Sequence, residues 1–239
     1  MVNFTPFLET KPAPATLNPN ENIFPTESCI MTIEITREFD LDSELILDSD
    51  AAAALFLEAR TANSWADEQI SDETLQAVYT LTKMGPTAMN IQPLRIAWIR
   101  SSEARAQLVE HMNEGNKAKT LAAPMVAVLS YTNEWHNLLE RTTPHMASMA
   151  PTFEKNLDSR NTMAVTNAHL QAGYFILAAR AAGLAAGPMT GFDASGVDAH
   201  FNAYTSCSAF MVVNLGKPSG VIDRQRLPRL DFDSATVTL

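Results

Sequence analysis

Apolar positions recur along the chain with two different periods. Between residues 31 and 37, Met31, Ile33 and Ile35 alternate with Thr32, Glu34 and Thr36, the period of a half-buried strand or of an arm lying on the body. From residue 49 the period lengthens. Ser49 or Asp50 caps a helix that runs through residues 51–57 and ends near Arg60. Ser71 caps a second helix, with Asp72 and Glu73 in the first turn, where the helix dipole favours acids. Leu75, Val78, Tyr79 and Thr82 form its inward stripe, and Gly85-Pro86 stops it. Residues 95–100 read as a short strand, and a helix starting at Ser102 carries Leu108, Val109 and Met112. The unbroken apolar run 124–131 is a strand buried on both faces. Residues 132–162 are polar and poorly periodic, a helical excursion or lid. A long helix over 162–182 ends at Gly183, and 209–215 is the last apolar strand before an extended tail. The pattern predicts an α+β fold in which helices outnumber strands.

Composition fixes the scale. With 239 residues, 46% of them hydrophobic, the chain holds a real core. Prolines at 6, 12, 14, 19 and 25 break up the N-terminal stretch, so residues 1–45 are predicted as a proline-rich acidic tail and 46–239 as one domain. Residues 1–50 carry ten acids and two bases, against 17 acids and 15 bases in the remainder. The net charge of −10 argues against a nucleic-acid binder, yet the nearly neutral body can hold an anion in a local basic pocket. Cys29 and Cys207 stand alone, with no CxxC, which excludes a zinc ribbon or disulfide scaffold and suits the reducing cytoplasm. Between Leu170 and Phe192 the one charge is Arg180, but Gly183, Gly187, Pro188 and Gly191 leave too short an apolar stretch to span a membrane. Burial of the long helix in a subunit interface is the attractive alternative. None of the five histidines has metal-ligand spacing, and no GxSxG, GxGxxG or P-loop is present.

Short polar stretches remain at the ends of elements. They are Arg60-Thr61-Ala62-Asn63-Ser64-Trp65, Pro86-Thr87-Ala88-Met89-Asn90-Ile91-Gln92-Pro93, Asn116 with Lys119 in the loop before the buried strand, Pro188-Met189-Thr190-Gly191-Phe192-Asp193, and Arg226-Leu227-Pro228. Singly, Arg60 and Arg226 read as solvated charges and Asn90 as a turn cap. Together and in this order they resemble the FMN-dependent nitroreductase family from about residue 50 onward. The stretches Gly85-Pro86-Thr87, Gly115-Asn116, Gly187-Pro188-Met189 and Arg226-Leu227-Pro228-Arg229-Leu230 are most similar to its malonic semialdehyde reductase branch.

The resemblance implies a nitroreductase-like fold with a mixed central sheet flanked by helices. It implies a homodimer holding FMN between subunits, with the long helix in the interface. NADH or NADPH would be the electron donor and a small aldehyde the acceptor, in a ping-pong reaction where the flavin carries the hydride and no side chain is catalytic. The alternatives are a broad nitroaromatic or quinone reductase and a flavin-binding module without turnover. By the same resemblance Arg60 and Arg226 neutralise the FMN phosphate, with Arg224 beside them. Thr61, Ala62, Asn63, Ser64, Pro86, Thr87, Ala88 and Pro188 line the cofactor. Asn90 and Asn116 bond its polar edge, Lys119 faces the pyrimidine side, and the backbone of Met189, Thr190 and Gly191 lies against the ring. Trp65 and Met89 border the substrate space. The family often has a base where Ser64 stands and an acid where Thr190 stands, so Lys119 carries more of the stabilisation of reduced flavin. For an anionic acceptor, Arg141 and Arg160 are the candidate cations.

Overall fold

The computed structural model describes residues 40–203, 205–220 and 225–239. The chain divides into two units, residues 40–224 and residues 1–39 with 225–239. The alternating stretch 31–37, the tail over 1–39 and Arg224 lie outside the described residues.

In the larger unit a short helix, α1 (Leu41–Glu44), precedes α2 (Ser49–Ala52). The cap of α2 is Asp48 rather than Ser49 or Asp50, because its carboxylate accepts the Ala51 N–H at 2.8 Å. The helix then widens into a π-turn over Ala53–Leu57, closed by Glu58 N–H on the Ala53 carbonyl. α3 (Asp72–Thr82) starts at Ser71 as expected, with the Thr74 N–H on the serine Oγ at 3.1 Å. Leu75, Val78 and Thr82 face inward, whereas Tyr79 is half exposed, turned about 100° from Val78 by the helical period. β1 (Leu94–Ile99) leads to α4 (Ser102–Glu110), which starts at Ser102 as expected and is capped by Ser101. α5 (Glu114–Ala122) occupies the stretch expected as loop, so Asn116 and Lys119 sit on a helix.

β2 (Met125–Thr132) is followed by the expected excursion, built from short turns with α6 (Leu139–Thr142) and α7 (Ala150–Glu154). α8 (Leu157–Ala181) begins five residues ahead of expectation, because Asn156 accepts the Ser159 N–H and starts the helix there. β3 (Ala185–Met189) and α9 (Ala194–Phe201) carry no periodic signal strong enough to announce them. β4 is Cys207–Gly216. In the smaller unit, a single turn, α10 (Phe232–Ala235), is capped by Asp231.

The strands order β1-β2-β4-β3 and pair antiparallel throughout. This corrects the mixed sheet expected from the resemblance. A continuous apolar run reports burial on two faces and not strand direction. Met125, Ala127, Leu129, Val213 and Leu215 face a core completed by α3 and α8. Val126, Val128 and Val212 face the opposite core, with Leu108, Met112 and Val197 from α4 to α9. A third cluster under the excursion joins Ile91, Trp135, Leu139 and Ala164. α8 is not buried all round. Phe175, Ala178 and Ala179 enter the chain's own core, while Leu170 and Tyr174 are 50% and 40% exposed. Among the described residues, no helix is long and apolar enough to cross a membrane.

Candidate functional site

The expected site residues gather into two sets. The first lies around the β3 edge of the sheet. The loop 60–66 runs beside the exit of β4, with Ala66 N–H on the Lys217 carbonyl at 2.9 Å and a bridge between Trp65 and Pro218. Thr61 thereby reaches Gly187 in β3, where an added Cβ would stand 3.5 Å from the threonine Cγ2. On the other side, Asn116 Nδ2 and Asn113 N–H both donate to the Gly191 carbonyl at 3.0 Å. A side chain at 191 would meet both asparagine amides at 2.9 Å, so only glycine leaves this concavity open. Lys119 lies one turn beyond Asn116 on the same face of α5, and Thr120 packs its hydroxyl on the Met189 sulfur. Lys119 has no ion-pair partner among the described residues, unlike Lys117, which pairs with Glu114 at 3.0 Å.

Arg60 belongs to this set. Its NH1 donates to the Leu57 and Ala59 carbonyls, both at 3.0 Å. Of the five donors a guanidinium carries, those on Nε and NH2 have no partner among the described residues. Arg60 lines a cleft of about 230 Å³ with Arg180, Glu58 and Gly183. Ala62 is buried, whereas Thr61, Asn63, Ser64, Pro188 and Thr190 are exposed. Trp65, expected at the substrate space, instead packs against the core beneath β4, with its ring on the backbone of Gly216.

The second set lies at the β1 edge. Met89, Asn90 and Gln92 have φ of 53°, 53° and 43°, a left-handed backbone that costs non-glycine residues of the order of 1–3 kcal/mol each. Surrounding bonds hold them there. Asn167, buried in α8, accepts the Ala88 N–H at 2.7 Å, and Gln171 accepts the Leu94 N–H at 3.0 Å. The excursion adds Thr143 Oγ1 on the Met89 carbonyl and the Thr142 carbonyl under Asn90 Nδ2 at 2.8 Å. The Asn90 amide is thus engaged within its own chain, and its Oδ1 accepts from Gln92. Met89 packs against the third core cluster. Pro86 and Ala88 are exposed and Thr87 half-buried.

No hydrogen bond among the described residues links the 86–92 loop to the first set. β1 and β3 are opposite edges, three strand spacings or about 14 Å apart. Beside the second set, a cleft of about 380 Å³ is lined by Gln92, Arg95, Trp98, Arg141 and Gln171. Of the two cations considered for an anionic acceptor, Arg160 is buried and bonded to His136 at 2.9 Å and to Glu154 at 3.3 Å. Arg141 is exposed at the cleft. The hydrogen bond from His136 holds the Glu154 carboxyl below the usual glutamate range, opposed by desolvation and helped in turn by the Arg160 charge. Arg226 is exposed in the smaller unit. Reasoning from sequence missed Arg180, Asn113 and Asn214. Asn214 lies buried under Gly187 with its Oδ1 unpartnered. None of the three belongs to a short motif.

An antiparallel sheet with helices on both faces defines an α+β protein, which carries a concavity kept open at Gly191 and, at Arg60, a guanidinium whose chemistry suits an anion. Residues 58–217 match the nitroreductase family, and the chain belongs to it. It is 48% identical over 195 residues to a Streptomyces griseus protein named as an NADH dehydrogenase/NAD(P)H nitroreductase, covering 82% of this chain and 99% of that one. Among solved structures, a nitroreductase-named protein of Bacillus subtilis superposes with a TM-score of 0.71 at 20% identity, over 80% of this chain and all of that one. A nitroreductase-named protein of Exiguobacterium sibiricum, solved in complex with FMN, gives 0.65 at 18% identity over 76% and 94%.

Proposed function

We propose that the chain is an FMN-dependent NAD(P)H oxidoreductase that works as a homodimer. The observation that carries this reading is the separation of the site residues into two sets on opposite edges of one sheet. A flavin that needs both sets is served when a second copy brings its 86–92 loop to the first copy's 60–64, 113–119 and 187–191 surface. The exposed apolar positions on α8 supply a face for that contact.

The residues of the first set suit FMN. The Nε and NH2 donors of Arg60 match phosphate oxygens bidentately, and Arg226 and Arg224 add charge by family resemblance. The concavity at Gly191 admits a planar ring against the backbone of Met189, Thr190 and Gly191. Asn116, fixed through Nδ2, keeps its Oδ1 for a ring N–H, and Lys119 offers a cation where reduction builds negative charge. Bound FMN would supply the hydride relay between nicotinamide and acceptor; the protein holds, orients and screens from water.

The finer reading is a small anionic aldehyde such as malonic semialdehyde as acceptor, reduced in the cytoplasm. Arg141 supports it, as the exposed cation beside the 86–92 loop. The test is anaerobic steady-state oxidation of NADH and NADPH with malonic semialdehyde, a quinone and a nitroaromatic, compared by kcat/KM. Parallel-line kinetics with the aldehyde preferred support the full reading. A higher value for the quinone or nitroaromatic moves the substrate and leaves the flavin chemistry. A protein that releases no FMN on denaturation overturns the proposal.

A further inference from the structure

The end of the wide turn at 53–57 poses an electrostatic problem. The last carbonyls of a helix have no partner within it and carry the negative end of its dipole. Two guanidinium groups take them. Arg60 NH1 donates to the Leu57 and Ala59 carbonyls at 3.0 Å each. Arg180 NH1, reaching from the last turn of α8 across 125 residues of sequence, donates to the Leu55 carbonyl at 2.8 Å. Both arginines line the same cleft of about 230 Å³.

The two bonds of Arg60 are local, so its guanidinium follows wherever the turn goes. π-helix occurs mostly as isolated single turns, and this one is closed by the Glu58 N–H on the Ala53 carbonyl. α8 is fixed, because Phe175, Ala178 and Ala179 lie in the core. The bond from Arg180 to Leu55 therefore ties the position of the turn to a helix seated in the core of the larger unit. It sets where the Nε and NH2 of Arg60, without a partner among the described residues, stand.

We infer that Arg180 is a positioning residue for recognition of the flavin phosphate, acting through the Leu55 carbonyl and Arg60, and that it thereby selects FMN over unphosphorylated riboflavin. The inference rests on the FMN reading above. Glu58, which shares the cleft, opposes an anion there and makes the placement of the two cations matter more.

The test measures dissociation constants of FMN and riboflavin by quenching of flavin fluorescence in the full-length apoprotein, for wild type and Arg60→Ala, Arg180→Ala, Arg180→Lys and the double alanine variant. Arg180→Ala is expected to weaken FMN by about 3- to 10-fold, the scale of one misplaced charge-assisted bond, with riboflavin unchanged. Arg180→Lys keeps a cation at the helix end and is expected to recover part of the FMN preference. The double variant is expected to bind FMN no more weakly than Arg60→Ala, because one residue acts through the other. Equal losses for FMN and riboflavin would reduce Arg180 to a general structural role and overturn the inference. So would additive losses in the double variant, or an unchanged ratio in both Arg180 variants. If Arg180→Ala fails to fold, the Arg180→Lys ratio decides by itself. A wild-type protein that binds neither flavin would overturn the FMN reading, and the inference with it; FMN binding with an indifferent Arg180 overturns the inference alone.

Discussion

A guanidinium anchored on its own helix end offers a ligand a fixed fork, because most of the side-chain entropy is removed before binding. Arg60→Ala should therefore weaken FMN by roughly 10-fold or more, corresponding to about 1.5–3 kcal/mol for a charge-assisted bond, with retention of fold checked by circular dichroism. A second residue-scale expectation concerns the bonded trio under the excursion. The Glu154 carboxyl is held below its ordinary range chiefly by the His136 bond, with Arg160 near it. A depressed carboxyl contributes stability fully above its unfolded value of 4.5 and loses it as pH falls through the folded value. Glu154→Gln removes that contribution. Its melting temperature should fall below wild type near neutral pH, and the gap should close as both are titrated from pH 5 downward. A gap that stays constant would show that the carboxylate is not the group responsible. At this scale the sequence singles out residues that come in a contiguous stretch, as with Arg60-Thr61, Asn116 and Gly191, and the proposed function rests on them. Arg180 and Asn113 are illegible because the carbonyls they bond, those of Leu55 and Gly191, lie far along the chain, and Asn214 because it meets Gly187 only through the pairing of β3 with β4. For Trp65 and Met89 the apolar character was legible but the direction was not, since a large apolar side chain beside a site serves packing and substrate equally well.

Elements with a cap or a long apolar run are legible: α3 from Ser71, β2 from its unbroken core residues, β4 from residues 209–215. The elements that escaped share a cause. β3 contains Gly187 and Pro188, which mark turns in most settings, but as an edge strand it tolerates a proline whose missing N–H faces away from the ladder. α5 is short and polar, with Gly115 and flanking asparagine residues that resemble loop chemistry, and its burial rests on one inward residue, Thr120. Close packing between elements sets a further test. Gly216 ends β4 where an added Cβ would stand 2.7 Å from both Pro124 Cγ and Trp65 Cε3. One of the two rings, or the backbone, must shift to make room, so Gly216→Ala should cost about 1–3 kcal/mol by overpacking. That lowers the melting temperature by about 2–4 °C per kcal/mol in a chain of this size. An unchanged melting temperature would mean that Trp65 is free to leave the core, and would return it to the substrate space.

The whole molecule is organised by the distance between the sheet edges. Within the larger unit a single chain offers the 86–92 loop at one edge and the 60–64, 113–119 and 187–191 stretches at the other, and the proposed function therefore calls for a symmetric pair in which each site draws on both copies. α8 fits that arrangement. Its inner face is committed to the chain's own core at Ala178 and Ala179, and its outer face leaves Leu170 and Tyr174 uncovered near Gly85, where an added Cβ would meet the Tyr174 ring at 2.7 Å. Charging the inner face would destroy each chain and reveal nothing about pairing. Charging the outer face discriminates. Leu170→Glu is solvated in a separate chain, half exposed as the position is, so the variant should fold, but in a pair it would bury an unmatched carboxylate. The expected result by light scattering is a mass of two chains for the wild type and of one chain for Leu170→Glu at the same concentration. FMN should be lost together with the partner, because neither set binds the ring well by itself. A wild type of one-chain mass that retains FMN would break the link between pairing and cofactor. A variant that stays paired would move the contact off this face of α8. If pairing and FMN are lost together, with helix content unchanged, the second copy is part of the site.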